Sequence, residues 1–117
     1  MLLLQTDFLK HIRDEAAFIA VETKDLSFSD LEESIILQKA LLRSLEVIGE
    51  ATKRIDFSLR QKYPQVDWKA MAGTRDKLIH DYFSFDVKLV YDICKTDIPE
   101  LFIEIENIIA IEESTNL

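Results

Sequence analysis

The chain has 117 residues, enough for one domain around a single core, and its 48% hydrophobic and 31% charged residues are the balance of a soluble globular chain. A net charge of −8 speaks against a nucleic-acid surface spread over the whole molecule, and two Gly and two Pro speak against a turn-rich β architecture. The apolar run Met1–Leu4 ends at Gln5 and is too short for a signal peptide; no stretch approaches the ~18 apolar residues of a membrane span, and a single cysteine, Cys94, excludes an intramolecular disulfide and fits a reducing cytoplasm.

Residues 3–22 predict an amphipathic helix, with Leu4, Phe8, Ile12 and Ile19 at helical intervals and Leu9, Ala16 and Ala20 broadening the stripe. After a short link, Ser27 or Ser29 is positioned to cap a second helix expected to run unbroken from about Asp30 to Arg60. Leu31, Ile35, Leu42, Leu45, Thr52 and Leu59 line one face of it, widened by Leu37, Leu41, Ile48 and Ile55. Gly49 falls on that line; a mid-helix glycine costs about 1 kcal/mol relative to alanine, so it marks a close approach of another helix. Tyr63-Pro64 breaks the helix, because a residue before proline is biased away from the helical region. Asp67 caps a third helix expected to carry the chain from Trp68 through Tyr82. Ser84 or Asp86 caps a fourth, with Val87, Val90, Tyr91 and Cys94 inward, and Asp97-Ile98-Pro99 opens a fifth, with Leu101, Phe102, Ile105, Ile108 and Ile109 inward and fraying expected from Glu112. The fold class is all-α, a bundle of about five helices forming one domain over residues 1–117.

Charge is divided unevenly along the chain. Residues 1–42 carry four Lys/Arg against eight Asp/Glu, residues 43–77 eight against five, and residues 78–117 two against nine. The one cationic third ends at Arg75-Asp76-Lys77-Leu78-Ile79-His80-Asp81-Tyr82. There a permanent cation able to fork onto a phosphate, an imidazole that titrates near neutral pH and a phenol lie close together. On an ideal helix Asp76 and His80 share a face, so the carboxylate can orient the imidazole, and Arg75 and Tyr82 share another. Arg75 and His80 stand about 140° apart, so they converge only if the Arg75 side chain curls across, if the helix is distorted, or if two copies of the helix meet. The same residues also suit ordinary roles: surface charges for Arg75 and Asp76, an i,i+4 pair for Lys77 and Asp81, an interface histidine, a core tyrosine. His11, on the first helix near Asp14 and Glu15, reads as a residue without a functional role. Two histidines without cysteine pairs argue against zinc, and no Gly-rich nucleotide loop or nucleophile elbow is present.

Arg75-x4-His80-x-Tyr82 resembles the signature of the HepT-like toxins of the HEPN superfamily. Gln38-Lys39-Ala40 with Leu45-Glu46-Val47-Ile48-Gly49-Glu50-Ala51 is similar to the helix-two block of that family. Tyr63-Pro64, Trp68, Phe85-Asp86-Val87 and Asp97-Ile98-Pro99-Glu100-Leu101 match its remaining landmarks in order. The resemblance implies a HEPN/HepT-like helical domain that pairs as a symmetric homodimer. It also implies a metal-independent endoribonuclease, without cofactor, forming the toxin half of a type II-like toxin–antitoxin pair. The implied antitoxin is a minimal nucleotidyltransferase that in some such systems transfers AMP to the motif tyrosine, here Tyr82. Arg75 and His80 become the catalytic pair, supported by Asp76, where relatives often have Asn; Tyr91 stands where many have Trp. Lys53, Arg54, Lys69 and Lys77 are then the candidates for tracking an RNA backbone. A non-catalytic helical binding companion of a nucleotidyltransferase is the alternative, and the acidic C-terminal third suits that protein–protein role.

Overall fold

The computed structural model describes residues 4–79 and 84–115. Among these the chain is all-α, without a β-strand, in the order α1 (Gln5–Thr23), α2 (Phe28–Glu33), α3 (Ile35–Lys53), α4 (Phe57–Lys62), α5 (Trp68–Ala72), α6 (Thr74–Leu78), α7 (Val87–Asp92) and α8 (Ile98–Thr115). A π-helical turn, Ile93–Asp97, joins the last two. No helix of the described residues is long and apolar enough to cross a membrane.

Three long helices make the frame. α1 lies between α3 and α8, and Leu9, Ile12, Ala16 and Ile19 of α1 meet Leu41, Leu45 and Ile48 of α3 and Ile105 and Ile108 of α8 in one buried cluster. Burying a side chain of this size contributes roughly 1.5–3 kcal/mol, so this apolar seam holds the frame together. The buried hydroxyls of Thr23 and Thr52 donate back to the carbonyls of Ile19 and Ile48 at 2.8 and 2.7 Å, so they enter the core with their hydrogen bonds made. Leu4 is 66% exposed and Ile35 64% exposed, so both stand outside the apolar stripes expected of them, while Leu42 is only half-buried.

The expected single helix from Asp30 to Arg60 is three helices. Ser34, extended at φ −115° and ψ 94°, ends α2 and caps α3 by accepting from the Leu37 N–H. The Gln38 side-chain amide donates to the carbonyls of Leu31 and Glu32, which the break would otherwise leave unpaired. At the other end Asp56 accepts from Leu59 N–H to start α4. The Arg60 guanidinium folds back onto the carbonyls of Ile55 and Thr52 at 3.0 and 2.6 Å. Gln5 ties this junction to α1, its carbonyl oxygen accepting from Asp56 N–H at 2.7 Å.

The link after α4 turns as the sequence predicts: Tyr63 is its cap residue, Trp68 donates to the Tyr63 carbonyl at 2.9 Å, and Asp67 caps α5 through Ala70 N–H. Helices four and five of the sequence reading are one continuous rod. Ile98 keeps helical angles and its N–H reaches the Ile93 carbonyl, five residues back. Proline cannot donate and its ring crowds the carbonyl four residues back, so the wider π turn just before Pro99 lets the rod pass that residue without a break. α8 is helical through Thr115, past the expected fraying at Glu112. Ser27 and Asp86 are the caps used for α2 and α7. Tyr91 is half-buried; its hydroxyl donates to the Leu26 carbonyl, and Lys95 reaches the carbonyls of Thr23 and Lys24, closing the end of α1.

Candidate active site

The cation that the sequence singles out sits on a short helix wedged against α3. Two features bring it there. Gly49, fully inside the packing, lets the backbone of α5 come close: a Cβ at this position would meet the Met71 carbonyl oxygen at 3.2 Å and that of Ala72 at 3.7 Å. The close approach expected at Gly49 is therefore present. The chain then kinks at Gly73, φ −92° and ψ 5°, where one helical run ends and the next begins. Thr74 steadies the kink by donating from its hydroxyl to the Ala70 carbonyl at 3.0 Å.

Past the kink, α6 turns its charged residues outward. Arg75, Asp76 and Lys77 are exposed and Leu78 is fully buried, so a single apolar residue anchors the helix. Arg75 extends toward α3, where its Nε lies 3.5 Å from Glu46 Oε2; the arginine side chain is 63% exposed and the glutamate 18%. An ion pair with this much solvent on one partner holds direction more than it adds stability.

α6 ends at Leu78, which corrects the expected helix through Tyr82. Ile79 is extended, φ −96° and ψ 112°, and forms an isolated antiparallel bridge with Phe85. The Asp86 N–H donates to the Leu78 carbonyl at 2.9 Å, so the chain returns to where it left. The helical register that would pair Asp76 with His80, or Lys77 with Asp81, stops before either partner is reached. Ideal-helix spacing therefore does not carry past Leu78. His80 and Tyr82 themselves, like Asp81 and Phe83, lie outside the described residues.

The four backbone-tracking candidates, all exposed, do not form one patch. Lys53 lies seven residues beyond Glu46 on α3, hence on the same side of the helix about two turns away. Arg54 turns toward α1, lining a groove with Phe8, His11, Val47, Glu50 and Ala51. Lys77 lies about 200° round α6 from Arg75 and borders a hollow of about 100 Å³ with Leu45, Ile48, Met71 and Thr74. Lys69 is on α5, where its carbonyl accepts from Gly73 N–H at 3.0 Å. His11 is exposed and edge-on to Phe8, with ring centres 6.4 Å apart, as a surface histidine would be. Among the described residues no group of three or more His, Cys, Asp or Glu side chains is arranged to hold a metal.

Two titrating groups lie off this site. Burial, then the hydrogen bond to Glu112, pushes the Tyr63 phenol up to about 12. Hydrogen bonds from Lys62 at 2.7 Å and Tyr63 at 2.5 Å hold the Glu112 carboxyl below its ordinary value. The residue that sequence reasoning did not single out is Glu46. It stands in the block Leu45–Ala51 that resembles the family, one turn before Gly49, but nothing local says that an arginine lies opposite.

Comparison with known proteins converges on one family. Residues 9–108 match the family model described as ribonuclease HepT-like. A protein of Caldanaerobacter subterraneus subsp. tengcongensis that carries the provisional name of an RNase is 39% identical over 106 residues, covering 91% of this chain and 95% of its own. One of Methanocaldococcus jannaschii, named in the same way, is 44% identical over 88% of this chain and 82% of its own. A protein of Thermococcus cleftensis, provisionally named ribonuclease HepT, is 39% identical over 81% of this chain and 86% of its own. No solved structure gives a significant match.

Proposed function

Because the chain belongs to the HepT-like ribonuclease family of the HEPN superfamily, we propose that it is an endoribonuclease whose working cation is Arg75 and whose proton carrier is His80. The observation that carries this reading is the solvent-facing Arg75, on a short helix at the end of the one cationic third of the chain. In this reading the ribose 2′-oxygen attacks the adjacent phosphorus while His80 takes the 2′ proton or donates one to the departing 5′-oxygen. The products are a 2′,3′-cyclic phosphate and a free 5′-hydroxyl. Positioned proton transfer of this kind typically contributes about 10²–10⁴-fold. Arg75 stabilises the charge that grows on the phosphoryl oxygens. Asp76, exposed in the first turn of α6, is the supporting residue, and Lys53, Arg54, Lys69 and Lys77 are the candidates for separate contacts to the RNA backbone. Two copies pair as a homodimer with their Arg75 helices sharing one cleft.

The reading extends to regulation. A minimal nucleotidyltransferase neutralises the protein as its antitoxin, and the Tyr82 phenol attacks the α-phosphorus of ATP, releasing pyrophosphate and leaving AMP in a phosphodiester. That negative charge lies near Arg75 in sequence and competes with the RNA phosphate. The alternative of a non-catalytic companion draws on the acidic cleft of about 260 Å³ between α5 and α8, bordered by Asp67, Asp97, Glu100 and Glu104, a suitable seat for a basic partner.

A single-stranded RNA with one 2′-deoxy substitution at the cleavage site tests the chemistry. The reading predicts complete protection at that linkage and a loss of about 10²–10⁴-fold in a folded His80→Ala variant. Cutting at the deoxy position, or parent-level cleavage by the His80→Ala protein, refutes it. Failure of the wild-type protein to cut any RNA favours the companion. Intact-mass measurement with the nucleotidyltransferase and ATP tests the modification, which must vanish in Tyr82→Phe.

A further inference from the structure

Gly49 and Arg75 belong to two backbone runs that pass each other in register. Gly49 faces the carbonyl of Met71; one turn back along α3 is Glu46, and one turn on from Met71 is Arg75. The contact that sets the distance between α3 and the α5–α6 run therefore also sets Glu46 opposite Arg75. Glu46 is the anchored member, with 18% of its side chain exposed on a long helix, and Arg75 is the free one, with 63% exposed.

We propose that Glu46 is a positioning residue for Arg75 and, at the same time, a brake on RNA affinity. This rests on the reading of Arg75 as the phosphate-binding cation. The carboxylate meets the guanidinium at Nε, at 3.5 Å. Contact at Nε restricts the swing of a long side chain and leaves the end-on edge made by the two Nη atoms to fork onto a phosphate. The carboxylate also places a negative charge beside the phosphate site of a chain that already carries −8, which weakens binding of the ground state. Orientation acts on turnover and charge acts on affinity, so the two effects separate in measurement.

The test uses the full chain, an RNA oligonucleotide that it cleaves, and the 2′-O-methyl form of that oligonucleotide as a non-cleavable binding probe. Glu46→Gln removes the charge and weakens the hold on Arg75. It should lower kcat about fivefold, the scale of an ion pair with one exposed partner, and tighten binding of the 2′-O-methyl probe. Glu46→Asp keeps the charge but falls short of Arg75, so kcat should drop without tighter binding. In an Arg75→Ala background neither substitution should change kcat further. Unchanged kcat and affinity in Glu46→Gln, with Arg75→Ala slowed about 10²–10³-fold, overturns this proposal alone. A kcat loss that persists in the Arg75→Ala background overturns it too, since Glu46 would then act through the fold. Full activity in Arg75→Ala overturns the underlying reading as well.

Discussion

Adding one methyl group at each of the chain's two glycines should give effects of opposite sign. At Gly49 the new Cβ would stand 3.2 Å from the Met71 carbonyl oxygen, a contact with backbone that no rotamer change relieves, so α5 has to move by a few tenths of an ångström. Overpacking of this kind costs typically 1–3 kcal/mol, while replacing a mid-helix glycine by alanine returns about 1 kcal/mol. With about 2 kcal/mol on the first account, Gly49→Ala is destabilised by about 1 kcal/mol, a fall in Tm of roughly 3–6 °C for a domain of this size. At Gly73 the backbone angle φ −92° suits any residue, and the new Cβ would lie 3.4 Å from Lys69 O, ordinary contact. Gly73→Ala should therefore gain about 0.4–1 kcal/mol by restricting the unfolded chain. Both values come from chemical denaturation followed by circular dichroism, with equal m-values confirming the same unfolding reaction. A Gly49→Ala protein more stable than the parent would refute the tight approach of α3 and α5, and with it the register that sets Glu46 against Arg75.

Two further expectations concern pH. Glu112 has its carboxyl held low by Lys62 and Tyr63, so it contributes stability above its ordinary value of 4.5 that is lost as pH falls through the lower folded value. The Tm difference between the parent and Glu112→Gln should be constant near neutrality and shrink in acid; a difference independent of pH contradicts the assignment. Cys94 and Tyr63 act on the alkaline side. Burial pushes the Cys94 thiol from 9.0 up to about 12, and Tyr63 rises from 10.0 to about 12. Unfolded chains ionise first, so stability should decline as pH rises from about 9 toward 12. A chromogenic disulfide reagent at mildly alkaline pH should leave Cys94 unreacted in the folded protein and titrate one thiol after denaturation. Rapid reaction of the folded protein would show that the cysteine is not buried.

Much of the frame can be read from residue types. The apolar intervals of α1, α3 and α8 persist over many turns, and Ser27, Asp67 and Asp86 cap as their side chains suggest. The breaks at Ser34 and Asp56 hid behind that same periodicity: Leu31, Leu45 and Leu59 keep one face across both, so the pattern reads as a single helix although each break carries a good cap. The π turn before Pro99 has no signal of its own beyond the proline. The end of α6 carries no local signal. Leu78-Ile79 contains no breaker; the chain leaves the helix because Phe85 and Asp86, six and eight residues on, pair with Ile79 and Leu78. Nonlocal pairing overrides propensity there, so helical spacing does not carry past Leu78. The Arg75–Glu46 pair is illegible for the same reason, since it joins positions on different helices.

The central claim, that the Arg75 guanidinium carries the charge of phosphodiester cleavage, is tested most directly by turnover of one defined RNA with the parent, Arg75→Ala and Arg75→Lys proteins at matched fold. Arg75 is mostly exposed, so both variants should fold as the parent does. The account predicts a loss of about 10²–10³-fold in Arg75→Ala, with little recovery in Arg75→Lys, because an ammonium lacks the planar fork. Parent-level turnover in a folded Arg75→Ala protein would contradict it.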